Sequence, residues 1–306
     1  IMLGFQISYH NVDINLIEKE LLDNKNKVDE ITRIVTNLKS LNISKTAKDL
    51  IDMKKVAENF MKNKDTFAVF GTGGSNLGAR ALTNILQGRL KKDIFFFDNI
   101  DPIQFENSIL ELNIDKTGFI VISKSGSTVE TISQLTSIIE IFKANNKKNL
   151  FSKNFLVITE NSMNPLRKIA KNLSCFILDH EKNIGGRYSV FSKVGLFPAY
   201  IAGLDIFEIR KGAQELISLA QNNLFKQHLT GACIFYHLQK FNSINLNVLM
   251  TYADSLFFFG KWYLQLWAES IGKEQKGMTP IHSIGTTDQH SQLQLYLDGP
   301  KDKFFS

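Results

Sequence analysis

Short apolar runs at 67–70, 94–97, 119–122, 155–158 and 176–178 recur along this chain, and each is apolar without a break. Runs that do not alternate with polar residues suit strands covered on both faces. The segments between them, 77–87, 102–112, 128–143 and 165–171, carry helix-forming sequence. Strand alternating with helix restricts the chain to an α/β fold with parallel strands, right-handed crossovers and a doubly wound sheet. Strand order does not follow from the sequence.

The flanks read differently. Between residues 11 and 65, Val28, Ile31, Ile34, Val35, Leu38 and Leu41 form one stripe at helical spacing with charges between them. That pattern predicts two or three amphipathic helices wrapped around the sheet. After Gly203 the chain reads as helical to about Lys240, then as a strand at 246–251 and a strongly apolar helix at 255–271. The expected division is a helical layer at 1–65, a first α/β domain at 66–204, and the start of a second at 205–306 that the chain does not complete. The opening Ile1-Met2 and the ending "KDKFFS" fit a fragment.

At 306 residues and 43% hydrophobic content, the chain can bury one large core or two moderate ones. Its apolar runs are too short to span a bilayer and no signal-peptide pattern opens it, so no membrane partner is expected. Cys175 and Cys233 have no motif spacing, which points to a reducing, cytoplasmic setting without disulfides or structural zinc. The formal charge of +6 comes from scattered lysines rather than a basic and aromatic stripe, so no nucleic-acid partner is expected. A mildly positive field does favour a small anionic substrate.

Two glycine- or serine-rich loops follow apolar runs. The first, "GTGGSNLG", spans Gly71 to Gly78 and leads into a helix, which is how a phosphate-binding turn begins. A dinucleotide fingerprint needs a third glycine where Asn76 stands, although Asp98 sits roughly where a ribose-binding acid belongs. A nucleotide-triphosphate loop lacks its closing Gly-Lys-Ser/Thr. The second loop supplies Ser123, Lys124, Ser125, Ser127 and Thr128 within six positions. Ser127-x-x-Glu130 has capping-box spacing, which predicts a helix start inside the cluster. Hydroxyls, a lysine and a helix N-terminus together make a seat for a terminal phosphate. On neighbouring parallel strands, both loops would face one crevice.

Three further places could carry chemistry. Arg187 follows Gly185-Gly186, which either deliver its guanidinium into a crevice or place it in a surface turn. Gln265 and Glu269 lie four apart in the apolar "GKWYLQLWAESIGKE", so they share a helix face. An acid there must reach solvent, find a partner, or hold a raised pKa suited to a general base. Gly272 supplies a helix stop. His290 begins a predicted helix, with no metal-site or triad signature around it. His10, His180, His228, His237 and His282 read as structural.

Taken together, "GTGGSNLG", "SKSGSTVET", "GGRYSVFSKVGL", "QLWAESIGK" and "GTTDQHSQLQLYLDGP" resemble the glucose-6-phosphate isomerase family, in order, from about Phe67 to Pro300. The last three motifs are specific to that family, and the first two are shared with sugar-isomerase (SIS) domains more widely. The resemblance implies two SIS-type α/β domains, the second incomplete here, with the active site between them and at a homodimer interface. It implies reversible conversion of glucose 6-phosphate to fructose 6-phosphate through an enediolate, without metal or organic cofactor. By the same resemblance Glu269 is the base that moves a proton between C2 and C1. Arg187 stabilises the enediolate, and His290, from the neighbouring subunit, opens the ring. Gly74, Ser75, Ser123, Lys124, Ser125 and Thr128 contact phosphate and sugar, with Gln265 beside the glutamate. A lysine that the family carries near its C-terminus has no counterpart in this chain. The rival readings are an isomerase of another sugar phosphate, a sugar-phosphate-sensing SIS module without catalysis, and a dinucleotide enzyme.

Overall fold

The computed structural model describes residues 13–23, 25–219 and 225–306. His10 and the side chains of Val28 and His228 lie outside the described residues. The N-terminal segment forms α1 (Ile14–Asp23), α2 (Lys25–Thr36), α3 (Lys39–Asn42) and α4 (Lys48–Phe60). Among the described residues, α4 drives an apolar stripe into the core, through Leu50, Met53, Ala57 and Phe60. The predicted stripe on α2 is helical, but Ile31 and Ile34 are 47% and 52% exposed, so it does not wrap the sheet. Periodicity says that residues share a face; it does not say what that face meets.

Five parallel strands make the main sheet: β1 (Thr66–Phe70), β2 (Asp93–Phe97), β3 (Thr117–Ile122), β4 (Phe155–Glu160) and β5 (Phe176–His180). Their order is β2-β1-β3-β4-β5. Strand side chains alternate between faces, which sorts the apolar runs into two layers. Phe67, Val69, Ile120, Ile122, Leu156 and Ile158 pack under α4. Ala68, Phe70, Phe119, Val121, Phe155 and Val157 pack on the opposite face. Coverage on both faces, expected of every strand, holds for β1, β3 and β4, but Phe95 of the edge strand β2 is 47% exposed. An edge strand has a neighbour on one side only, and the apolarity of its run could not reveal that.

The connecting helices are α5 (Leu77–Ile85), α6 (Pro102–Leu110), α7 (Val129–Ala144), the short α8 (Phe151–Asn154) and α9 (Pro165–Asn172). Asp101 caps α6 and Asn164 caps α9, each ahead of a proline in the first turn. The chain winds one way from β1 through α5 to β2, and the other way through β3, β4 and β5. The direction reverses between β1 and β3, where the loops after these strands border one crevice.

Beyond β5 come α10 (Lys193–Ile201), α11 (Ile206–Leu219) and α12 (Phe225–Asn242). Although α11 lies past the expected boundary at 204, it packs back on the first unit through Ile206 and through Arg210, which is bonded to Asp49 of α4. A second parallel sheet follows, β6 (Leu246–Thr251), β7 (Thr279–Ile284) and β8 (Lys303–Phe305), in the order β7-β6-β8. Between β6 and β7 runs α13 (Phe257–Ile271), and α14 (Leu293–Asp298) precedes β8. Arg80 of α5 lies against the ring of Phe258 on α13, 3.8 Å from its centroid, which joins the two units. Among the described residues, no helix is long and apolar enough to cross a membrane.

Candidate active site

The loop after β1 runs as Gly71-Thr72 into a 3₁₀ turn, Gly73–Ser75, before α5. Two of its glycines have physical reasons. Gly73 has φ +53°, a conformation side chains resist, and a Cβ there would meet Gln265 Nε2 at 2.8 Å. A Cβ on Gly74 would lie 2.2 Å from the carbonyl carbon of Gly186, so here two backbones touch. Ser189 secures that contact, its Oγ lying within hydrogen-bond reach of both Gly74 O (3.1 Å) and Gly186 O (2.7 Å). Asn76 is fully buried, and Asp98 is paired with Arg80 at 2.9 Å.

The loop after β3 is organised from within. Ser123 is buried, and its Oγ shares a 2.8 Å hydrogen bond with Thr128 Oγ1 while accepting from Gly126 N. Ser125 Oγ accepts from both the amide and the hydroxyl of Ser127. The predicted capping box therefore does not form. Ser127 turns to Ser125, and α7 starts one residue later, with Thr128 at its N-cap making no side-chain cap bond. First-turn amides of α7 are left without that cap, and the positive end of a 16-residue helix faces the loop.

Lys124 behaves differently from its neighbours. Its ammonium donates to Lys182 O (2.9 Å) and Ile184 O (3.0 Å) and lies 3.5 Å from Glu160 Oε1. The lysine thus ties the serine loop to the chain just ahead of Gly185-Gly186-Arg187.

Arg187 stands in the 3₁₀ turn Gly186–Phe191 and reaches α13. Its Nε donates to Ser270 Oγ at 3.0 Å, and its Nη1 to Glu269 Oε2 at 3.4 Å. Of its two open readings the structure shows the first, a guanidinium delivered into a crevice. One turn earlier on α13, Gln265 Nε2 donates to the other carboxylate oxygen, Oε1, at 2.9 Å. Glu269 is half exposed and partnered on both oxygens, so it reaches solvent and has found partners. Gln265 Oε1 is buried and unpartnered. Gly272 does end α13 as its C-cap, at φ −71° and ψ 71°, outside the helical region.

Thr72, Gly74, Ser75, Lys124, Ser125, Thr128, Glu160, Gly186, Arg187, Gln265 and Glu269 line one cavity of about 400 Å³. Its lining combines hydroxyls and a helix N-terminus with a carboxylate beside a guanidinium. Such a cavity can hold an anionic group and exchange a proton with it. A larger hollow, about 570 Å³, runs along the β2 edge, away from the convergence of the two loops. The expected Gly74, Ser75, Lys124, Ser125, Thr128, Arg187, Gln265 and Glu269 are brought together here, and Ser123 lies beneath the loop. His290 is not. It is exposed at the end of the 3₁₀ turn Thr287–Gln289, outside the cavity lining, and α14 begins only at Leu293.

Sequence reasoning missed Thr72 and Glu160. Glu160 is the first charged residue after the apolar stretch of β4, and that position at the carboxyl end of a neighbouring strand was the available signal. Of the histidines read as structural, His282 bonds Thr251 Oγ1 at 2.9 Å beneath Gly260, and buried His180 has Nδ1 3.0 Å from Glu181 O. Cys175 and Cys233 are free thiols. Among the described residues, no group of three or more His, Cys, Asp or Glu side chains is placed to hold a metal ion.

The model of the family described as phosphoglucose isomerase matches residues 16–301. A probable glucose-6-phosphate isomerase from Methanococcus maripaludis is 36% identical over 262 residues, covering 83% of this chain and 59% of that protein. A glucose-6-phosphate isomerase from Carboxydothermus hydrogenoformans is 35% identical over 274 residues, with the same coverages of 83% and 59%. The chain thus spans about 59% of the length of these curated relatives. A hypothetical protein from Thermus thermophilus superposes with a TM-score of 0.81 at 27% identity, over 94% of this chain and 72% of that one. A glucose-6-phosphate isomerase from Chlamydia trachomatis shares the fold, with a TM-score of 0.74 at 23% identity over 83% of this chain and 51% of the other.

Proposed function

The chain belongs to the phosphoglucose isomerase family, and from that membership we propose that the whole protein interconverts glucose 6-phosphate and fructose 6-phosphate. The phosphate sits against Ser75, Ser125 and Thr128 at the N-terminus of α7, with Lys124 and the internal bond of Ser123 holding the loop in shape. Gly74 brings the backbone close to the sugar. The carboxylate of Glu269 takes the proton from C2 of the open-chain sugar and returns it to C1, and the reverse reaction retraces that path. Proton transfer leaves an enediolate, whose negative charge the guanidinium of Arg187 meets in place. Gln265 keeps the carboxylate turned toward the substrate.

One observation carries this reading. Glu269 is flanked by an amide at 2.9 Å and a guanidinium at 3.4 Å, in the same cavity as the serine loop. A module that only senses sugar phosphates needs the loop but has no use for that pair. His290 acts in ring opening on the substrate of a neighbouring copy, a role supported by its exposure away from the cavity of its own chain. The working unit is then a homodimer. Residues 1–65, 66–204 and 205–306 serve as helical layer, first SIS-type domain and beginning of the second, although α11 packs on the first unit.

The test is turnover of the full-length protein. Glu269→Gln should lower kcat by about 10²–10⁴-fold while sugar-phosphate binding persists. Binding without any turnover in the wild type would move the assignment to a sensing module. Preference for a different sugar phosphate in substrate profiling would move it to another isomerase.

A further inference from the structure

Ser270, next to the proposed base, makes two contacts that the reaction as described does not use. Its Oγ accepts from Arg187 Nε at 3.0 Å and shares a 2.8 Å hydrogen bond with Tyr188 Oη. A guanidinium has no acceptor, so the serine oxygen must receive the Nε–H, which leaves its own hydrogen free for the tyrosine oxygen. The Tyr188 ring also lies under the guanidinium, with Arg187 Cζ 4.4 Å from its centroid. Arg187 is therefore held by a hydroxyl on one edge and by an aromatic face.

The placement of Ser270 on α13 matters. Adjacent helical residues point about 100° apart, so Glu269 can enter the cavity while Ser270 meets the flank of the arginine. One turn of one helix then sets both the base and the anchor of the cation beside it. The resulting Arg187–Glu269 contact is a single 3.4 Å approach, longer than the roughly 2.7–2.9 Å of a tight charged hydrogen bond. An arginine free to turn about its side-chain torsions could close on the carboxylate in a bidentate pair. Both groups would then be turned away from the sugar.

We propose that Ser270, braced by Tyr188, is a positioning residue that holds Arg187 at a standoff from Glu269, where the guanidinium meets charge as it develops on the substrate. This rests on the functional reading above. It predicts an effect on the chemical step rather than on substrate capture, because the phosphate loop makes no use of Ser270.

The experiment is steady-state kinetics of sugar-phosphate isomerisation by the full-length protein. The variants are Ser270→Ala, Ser270→Thr, Tyr188→Phe, Arg187→Ala, the Arg187→Ala/Ser270→Ala double variant, and Glu269→Gln. Ser270→Ala should lower kcat about 10- to 100-fold, the worth of one hydrogen bond to a charged group, with KM little changed. Ser270→Thr should restore most of the loss by returning the hydroxyl. Tyr188→Phe, which keeps the ring and removes only its oxygen, should give a smaller fall in kcat and guards against a Ser270→Ala protein that fails to fold. In the Arg187→Ala background, Ser270→Ala should change nothing further. Wild-type kcat in Ser270→Ala, or an equal loss with and without Arg187, overturns the proposal while a crippled Glu269→Gln leaves the parent reading standing. Full turnover by Glu269→Gln overturns both.

Discussion

Arg187 Nη1 lies 3.4 Å from Glu269 Oε2, a contact between residues 82 positions apart that joins a 3₁₀ turn of the first unit to α13 of the second. With Gln265 on the other oxygen, the carboxylate is held from two sides while remaining half exposed. That combination suits a group that must be oriented and still reach a substrate.

Arg187→Lys should expose the difference between charge and geometry. A lysine keeps the charge but has one nitrogen, so it cannot meet Ser270 and Glu269 together as the guanidinium does. The expected loss is about 10²–10³-fold in kcat, comparable to removing one preorganised donor. Steady-state kinetics with kcat and KM resolved would check it, and near-wild-type turnover would mean that charge alone suffices.

Gly74→Ala should push apart the two loops that form the cavity. The added methyl would lie 2.2 Å from Gly186 C and 2.6 Å from Arg187 N, backbone atoms that cannot swing aside. A cost of about 1–3 kcal/mol is expected from such overpacking, together with a fall in turnover through the displaced Arg187. Urea unfolding read alongside activity separates the two effects. An unchanged unfolding midpoint would show that the loops can yield.

Asp49→Ala should be among the most destabilising single changes in the first unit. Arg210 is 2% exposed, and each of its Nη atoms lies 2.6 Å from an Asp49 oxygen. Phe191 O and Thr46 O take further donors. Removing the carboxylate strands a buried cation, at a cost of about 3–5 kcal/mol. Chemical denaturation measures this, and a paired Asp49→Leu/Arg210→Met variant should recover part of the loss.

Acid should weaken the fold through His180. Burial lowers its pKa from the ordinary 6.5, with opposing contributions from the Glu181 carbonyl and carboxylate and from Glu160, and a further lowering from Lys124. The unfolded chain then binds more protons than the native one as pH falls through 6.5 toward the lowered value. Stability contributed by the neutral ring is present above 6.5 and lost on acidification through that window. Unfolding midpoints between about pH 5 and 8 should slope downward toward acid, and His180→Gln should flatten the slope. An equal slope in the variant would assign it to other groups.

Much of the first unit was legible because its elements depend on near neighbours. Unbroken apolar runs located β1 to β5, the strand at 246–251 was also legible, and the glycine and serine clusters located the two loops, since side-chain direction and turn chemistry are short-range properties. The i, i+4 spacing of Gln265 and Glu269 puts them on one helix face by local geometry alone, and the 2.9 Å bond between them follows from that spacing. Local pattern misled where two local options competed. Ser127 had the spacing of a cap, but the hydroxyl of Ser125, two residues away, took its hydrogen bonds.

What only the tertiary structure decided lies at longer range. The reversal of strand order between β1 and β3 put both loops on one crevice, and no run of residues records which strand lies beside which. Lys124 carries its charge to carbonyls 58 and 60 positions away, and Ser189 bonds the carbonyl of Gly74 across 115. Such contacts are chosen by packing of whole layers, which is why Glu160 entered the cavity unforeseen and why the exposed His290 stayed outside it. By itself the sequence determined which residues could bind phosphate or move a proton; the packing of distant segments decided which of them meet.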